Sequence, residues 1–296
     1  MFPENFEYVS PATVAEAAKF LNQHSDEAKI LAGGQSLIPI LKLRLAAPQF
    51  VVDIGRIGEL KAIRERDGNI EIGSLVRHVD IEQSPLLAQH CPLLCETAAE
   101  IGDPQVRNRG TLGGSLAHAD PAGDFPAAIL ALGAILTATS VSGSRDIAAE
   151  DFFVEMLTSA LRPNEILTSI RIPKLGPRTG TAYVKMHQQA SGFAIVGVAS
   201  LLTLDERGLI SNAHVGITGV DAVPYRARKV EDRLRRNEPT PQVITAAAAL
   251  AADGIEPLAD IHASADYRRH LAAVFTCRSL GRAAQRERSK NEPGRV

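Results

Sequence analysis

Two glycine pairs in similar company, AGGQSL at residues 32–37 and TLGGSL at 111–116, restrict this chain more than any other feature. The first follows the apolar run AKIL and precedes SLIPILKLRL, so a strand hands over to a helix at the glycines. Lacking Cβ atoms, Gly33 and Gly34 let the backbone take positive φ and turn successive N–H groups toward one concavity, a geometry that holds an anion. Ser36 adds a hydroxyl donor. The second pair, Gly113 and Gly114, is again followed by a serine, Ser115, and is preceded by Arg107, Arg109 and Thr111. Two anion nests in one chain suit a diphosphate gripped from both sides. Asp120 and Asp124, which follow in HADPAGD, are acceptors for hydroxyl or ring N–H donors that a simple phosphate site does not need. A structural reading stands beside this one. Ser36 can cap the next helix in a tight turn, and His118, Asp120 and Asp124 can bond their own backbone in a compact loop.

Several function classes are disfavoured. The chain contains neither G-x-x-x-x-G-K-[ST] nor a G-x-G-x-x-G that opens a helix after a strand, which argues against P-loop and Rossmann sites. Thirty-two basic against thirty-four acidic residues leave a net charge of -2, so no overall field gathers nucleic acid or an anionic membrane. Cys91, Cys95 and Cys277 are an odd number and do not read as a secreted disulfide framework. Pro92 interrupts the C-x3-C pair and no second pair completes four ligands, while His118 and Asp120 lack a third ligand nearby, so no metal site is expected. MFPENFEYVS has no basic n-region, and no run reaches the roughly 18 apolar residues of a membrane span. These features predict a cytoplasmic protein without a membrane span.

With 296 residues and 45% hydrophobic content, there is room for two domains. SPATVAEAAKFLNQH predicts an amphipathic helix capped by Ser10 with Pro11 in its first turn, and FVVDI at 50–54 a strand, so residues 1 to about 55 form a small α/β unit. From 56 to 176 strands such as NIEIGSL and ILTSIRIP alternate with helical PLLCETAAEIG and apolar FPAAILALGAILTATS, an α+β pattern around the second glycine loop. Residues 177–285 read as a second domain of antiparallel strands, among them FAIVGVASLLTLD and LISNAHVGITGV, with helices on one face. Residues 286–296 predict a charged, disordered tail.

AGGQSL followed by KLRL, then GDPQVRNRGTLGGSLAHADPAGDFPAAILALGA, LRPNEILTSIRIP and FAIVGVA, taken together, resemble the FAD-binding medium subunit of molybdenum hydroxylases, the family that includes carbon monoxide dehydrogenase. The resemblance runs over residues 1–285. It implies a vanillyl-alcohol-oxidase-like (PCMH-type) FAD-binding fold of two α/β subdomains, followed by a C-terminal three-stranded antiparallel sheet with helices. It also implies a heterotrimer, usually doubled to (αβγ)2. A large subunit would oxidise substrate at a molybdenum cofactor, a small subunit would relay electrons through two [2Fe-2S] clusters, and FAD on this chain would deliver them to an external acceptor.

Carried over by position, the resemblance assigns Ala32, Gly33, Gly34, Gln35, Ser36 and Leu37, with Thr111, Leu112, Gly113, Gly114 and Ser115, to the pyrophosphate. Ala117, Asp120 and Asp124 match ribityl, ribose or ring contacts, Ile166 the adenine contact, and Lys185 a lysine near the flavin. None is a catalytic acid or base, because the isoalloxazine carries the redox chemistry. The chain departs from the carbon monoxide dehydrogenase pattern at Phe193, where that branch has a tyrosine beside the flavin, and at Gln35, where it has histidine. Carbon monoxide is thereby less secure as the substrate. A standalone FAD-dependent oxidase or reductase on the same fold remains the alternative.

Overall fold

The structure is a computed structural model that describes residues 2–291. It opens with a parallel three-stranded sheet of β1 (Glu7–Val9), β2 (Ala28–Leu31) and β3 (Phe50–Asp53), in the order β1-β3-β2. Helix α1 (Val14–Gln23) connects β1 to β2 and buries Ala17, Ala18 and Leu21. It starts later than expected. Thr13 is the N-cap, accepting from the Glu16 N–H at 3.2 Å, while the Glu16 carboxylate accepts from the Ala12 N–H at 2.8 Å. Ser10 cannot serve, because its hydroxyl points to the Asp53 carbonyl. Helix α2 (Leu37–Lys42) leaves directly from the first glycine loop, and Ser36 makes no side-chain cap there.

Next comes a five-stranded antiparallel sheet built from β4 (Ile63–Arg66), β5 (Asn69–Gly73), β6 (Ile135–Ser140), β7 (Gly143–Ala148) and β10 (Ile166–Pro173), ordered β4-β5-β10-β6-β7. Six short helices intervene between β5 and β6: α3 (His78–Glu82), α4 (Pro85–His90), α5 (Pro92–Ala99), α6 (Pro104–Arg109), α7 (Leu112–His118) and α8 (Phe125–Leu132). Proline opens four of them at the first turn, where its missing N–H costs nothing. After β7, the one-turn helix α9 (Ala149–Phe152) and the hairpin of β8 (Phe153–Glu155) and β9 (Thr158–Ser159) lead into β10.

The remaining chain forms a sheet of three long strands, β11 (Thr179–His187), β12 (Ala194–Leu204) and β13 (Ile210–Thr218), with a two-residue edge β14 (Tyr225–Arg226), then α10 (Arg228–Leu234), α11 (Pro241–Ala248) and α12 (Ala265–Asn291). The helices that follow this sheet, α10, α11 and α12, share one core on one face, and α8 from the preceding part of the chain covers the other. Helix α12 packs on β11 and β12, while α8 packs the opposite side against β12 and β13. This sandwiching explains why β12 reads as a near-continuous apolar run, since ten of its eleven residues are buried. The backbones approach closely at Gly216, against the Ala127 carbonyl of α8, and at Gly180, against the Ala283 carbonyl of α12.

The tail expected from 286 onward is helical through Asn291. Arg286 explains the extension: its guanidinium grips both Glu96 carboxylate oxygens, at 2.6 and 2.9 Å, and the Thr181 carbonyl at 2.8 Å. Residues 292–296 lie outside the described residues. Among the described residues no helix is long and apolar enough to cross a membrane.

Candidate functional site

A cleft of about 760 Å³ runs between the parallel sheet and the helices that carry the second glycine loop. Its volume lies in the range of ligand and cofactor pockets. On one wall stand Ala32, Gly33, Gly34, Gln35, Ser36 and Leu37; on the other, Thr111, Gly113, Gly114, Ser115 and Ala117. Asp120, Asp124 and Phe193 line one end, and Ile166 lines the other, near α1 and β2. Two expected residues do not line the cleft surface themselves. Leu112 is fully buried in the core with its N–H donated to the Val76 carbonyl, and Lys185, its side chain 1% exposed, is bonded to Asp124 and Gly192, which do line the cleft.

The two loops are physically unlike. Among the described residues, no backbone N–H from Gly33 to Leu37 has a protein partner, and Gly34, at φ +77°, supplies the left-handed step that turns them. Buried or ligand-facing N–H groups are normally paired, so five in succession at a cleft wall mark a place where a ligand's acceptors belong. The second loop is satisfied internally. Gly113 donates to the Ser74 carbonyl at 2.9 Å, Gly114 to the Thr111 hydroxyl at 3.1 Å, and Ser115 to the Thr111 carbonyl at 3.0 Å. Thr111 therefore caps α7, and the expectation of two equivalent nests is corrected to one. Gly114 is helical with negative φ. The second pair contributes closeness instead: a Cβ on Gly113 would strike Ser74, and one on Gly114 would stand 3.7 Å from the Ala32 methyl across the cleft. Gly33 is pressed against the Arg109 carbonyl, which joins the two loops.

At the Phe193 end, Asp124 is buried, accepting from the Tyr183 hydroxyl at 2.5 Å and from the Lys185 ammonium at 2.9 and 3.0 Å. Burial pushes its carboxyl up to about 6, against the pull of Lys185. Asp120 spends one oxygen on the Ala122 N–H at 2.8 Å and turns the other toward His118 at 3.9 Å. It thus bonds its own backbone, as the structural reading allowed, while still facing the cleft.

Comparison with known proteins decides the family. The FAD binding domain in molybdopterin dehydrogenase matches residues 4–175, and the CO dehydrogenase flavoprotein C-terminal domain matches residues 181–283. The chain belongs to this flavoprotein family. The 6-hydroxypseudooxynicotine dehydrogenase complex subunit alpha of Paenarthrobacter nicotinovorans is 39% identical, over 99% of both chains. A chain of carbon monoxide dehydrogenase from Hydrogenophaga pseudoflava superposes with a TM-score of 0.94 at 38% identity, covering 97% of this chain and 99% of that one. One from quinoline 2-oxidoreductase of Pseudomonas putida 86 superposes at 0.90 and 33%, covering 96% and 99%. The flavoprotein's C-terminal sheet and its FAD-binding fold are those the resemblance implied.

Sequence reasoning missed Ser74 and His78, which enter the cleft wall from the turn between β5 and α3, and Ile101 and Gly102 from the end of α5. No glycine pair or acid cluster flags SLVRH; only its position after the strand NIEIG does. His78 is 4% exposed, its Nδ1 has no partner, and burial lowers its pKa to about 4, helped by nearby Arg107. The folded flavoprotein thus holds this imidazole neutral, whereas the unfolded chain protonates it below about 6.5. The stabilisation is present above 6.5 and is lost as pH falls toward 4. Urea unfolding is expected to show about 2 kcal/mol less stability at pH 5 than at pH 8 from this group. His78→Phe should flatten that part of the slope; an unchanged slope would remove His78 as its source.

Proposed function

We propose that the chain is the FAD-carrying, electron-transferring medium subunit of a molybdenum hydroxylase assembly. One observation carries the reading: five consecutive unpaired N–H groups, at 33–37, lie opposite a helix whose glycines clear the space for a ligand to pass. That arrangement fits a pyrophosphate, whose oxygens accept without needing a lysine. Gly33 through Leu37 would donate to it, and Thr111 to Ser115 would close the opposite side. Ile166 would pack against the adenine. Asp120 and Asp124 would receive ribityl or ring donors, and Phe193, 42% exposed at the cleft's end, would cover one flavin face. When bound, FAD supplies the capacity to take up electrons singly or in pairs and pass them to an external acceptor.

Among the described residues, no group of three or more His, Cys, Asp or Glu is placed to hold a metal ion. Burial raises the Cys91 thiol to about 12 and the Cys95 thiol to about 11, which leaves them poor ligands and poor nucleophiles. This supports a division of labour in which a large subunit carries the molybdenum cofactor and a small subunit two [2Fe-2S] clusters, in an (αβγ)2 assembly. The three unpaired cysteines support a reducing, cytoplasmic setting. The named relatives act on chemically unlike substrates, in keeping with substrate recognition by another subunit.

The test is activity with and without partners. Purified alone and loaded with FAD, the chain is expected to leave its flavin oxidised when offered carbon monoxide, quinoline or a pyridine alkaloid. Co-expressed with a molybdenum-binding large subunit and an iron-sulfur small subunit of its assembly, it should be reduced by the assembly's substrate. Flavin reduction by substrate in the isolated chain would establish the standalone oxidase instead.

A further inference from the structure

We infer that Arg268, in the C-terminal part of the chain, is a positioning residue that sets the Asp120–Asp124 loop in the cleft by holding the two strand ends on which that loop rests. Two carbonyls with no place in a ladder make it necessary. Where β12 pairs with β11 the register slips between Met186 and His187, so Ile195 is the extra residue of a bulge. Gly219 follows the last residue of β13 at φ +80°, and a Cβ there would stand 2.5 Å from the Ile195 carbonyl oxygen. The left-handed glycine thus brings two buried acceptors close together, and buried acceptors need donors.

Arg268 supplies them. One terminal nitrogen of its guanidinium donates to the Ile195 and Gly219 carbonyls, each at 2.6 Å, and the other donates to the Asp260 carboxylate at 2.6 Å. The residue is 3% exposed, although it lies near the start of α12, where the helix dipole disfavours a cation. Its position serves the strand ends, not the helix. Those ends in turn carry the loop. Gly219 donates its N–H to the Pro121 carbonyl at 2.7 Å and Ala194 to the Ala122 carbonyl at 3.1 Å, while the Thr218 hydroxyl lies 2.7 Å from the Pro121 carbonyl and 2.8 Å from that of Gly123. Successive carbonyls from Pro121 to Gly123 are therefore taken by the C-terminal strands. On either side of them Asp120 and Asp124 line the cleft, as does Phe193, the residue before Ala194. Pro121 and Ala122 are not part of the cleft wall, so a bound ligand leaves their bonds in place. One guanidinium, acting through two strands, fixes where both carboxylates and the Phe193 ring stand.

The inference rests on the flavin reading only for its second readout. Arg268→Met/Asp260→Asn removes both charges and is the decisive variant, with Asp260→Asn alone as its control. In flavin-free protein, amide exchange in peptides spanning 119–124, 193–195 and 218–220 is expected to quicken about tenfold in the double variant, with 201–204 at the other end of β12 unchanged. The second readout compares FAD with ADP, which has the pyrophosphate and adenosine but no flavin. FAD affinity should fall about tenfold and ADP affinity by less than about twofold, because the loop serves the flavin end. Arg268→Lys keeps the charge, but its ammonium stops short of the guanidinium's terminal nitrogens, so it should fall between wild type and the double variant on both readouts. If the double variant does not fold, Arg268→Lys decides by the same measurements. Unchanged exchange in the three segments would overturn the inference. So would quickening that includes 201–204 with FAD and ADP weakened alike, because Arg268 would then support the domain as a whole. Were wild-type protein to bind neither FAD nor ADP, the flavin reading would fall, while quickened exchange confined to the three segments would still uphold the role of Arg268.

Discussion

Gly114→Val is expected to give a folded protein that no longer retains FAD. Gly114 lies in the first turn of α7, where valine has a helix propensity no worse than glycine's, so the backbone tolerates the change. The effect falls on the cleft. A Cβ at 114 would stand 3.7 Å from the Ala32 methyl, and the two γ-methyls of valine extend further into the gap between the loops. The same Cβ would approach the Thr111 hydroxyl to 2.8 Å, disturbing the cap that fixes this wall. A diphosphate passing between residues 33–37 and α7 would lose its path. FAD affinity should fall by about a hundredfold or more, equivalent to roughly 3 kcal/mol. Gly114→Ala should be intermediate, since its methyl crowds the Thr111 hydroxyl but makes only ordinary contact with the Ala32 methyl. Equilibrium dialysis of FAD, with circular dichroism as the check on folding, measures both. Stoichiometric FAD in folded Gly114→Val protein would place the pyrophosphate elsewhere. Gly33→Val would be a poorer probe, because its Cβ collides with the Arg109 backbone and displaces both loops together.

Gly216→Val should destabilise the protein by about 3 kcal/mol or more through overpacking, without touching the cleft. Gly216 lies in β13, where a Cβ would collide with the Ala127 carbonyl of α8. Neither partner can step aside. Strand β13 is held between β12 and β14, and all eight residues of α8 are buried. The collision would therefore be relieved only by separating the C-terminal sheet from the FAD-binding part. Gly281→Ala is the control, because it lies in α12 with nothing within 4 Å of the added methyl, and helix propensity favours alanine by about 1 kcal/mol. Urea midpoints for the two variants should move in opposite directions. A Gly216→Val midpoint equal to wild type would mean that the two parts do not pack as a unit.

The sequence by itself determined the local chemistry. Glycine has no substitute at Gly34, whose φ is +77°, and the apolar runs at 69–73, 166–173 and 194–204 became strands because β-branched residues there meet neighbours on two faces. The two facing stretches of the cleft, Ala32 to Leu37 and Thr111 with Gly113 to Ser115, were legible because glycines beside serine or threonine mark turns and ligand approaches. Only the tertiary structure decided which N–H groups were left unpaired. Gly113 and Gly114 look like Gly33 and Gly34 in sequence, but the Ser74 carbonyl and the Thr111 hydroxyl reach the second pair, and among the described residues no partner reaches the first. It likewise buried Leu112, brought in His78 from a segment without any local signal, and buried Lys185 against the cleft-lining Asp124 and Gly192. These outcomes depend on contacts between residues tens of positions apart, such as Lys185 with Glu100 and Asp124. Periodicity and turn chemistry report on a few neighbouring residues. Pairing across such distances is set by how the sheets and helices pack, which no short stretch of sequence contains.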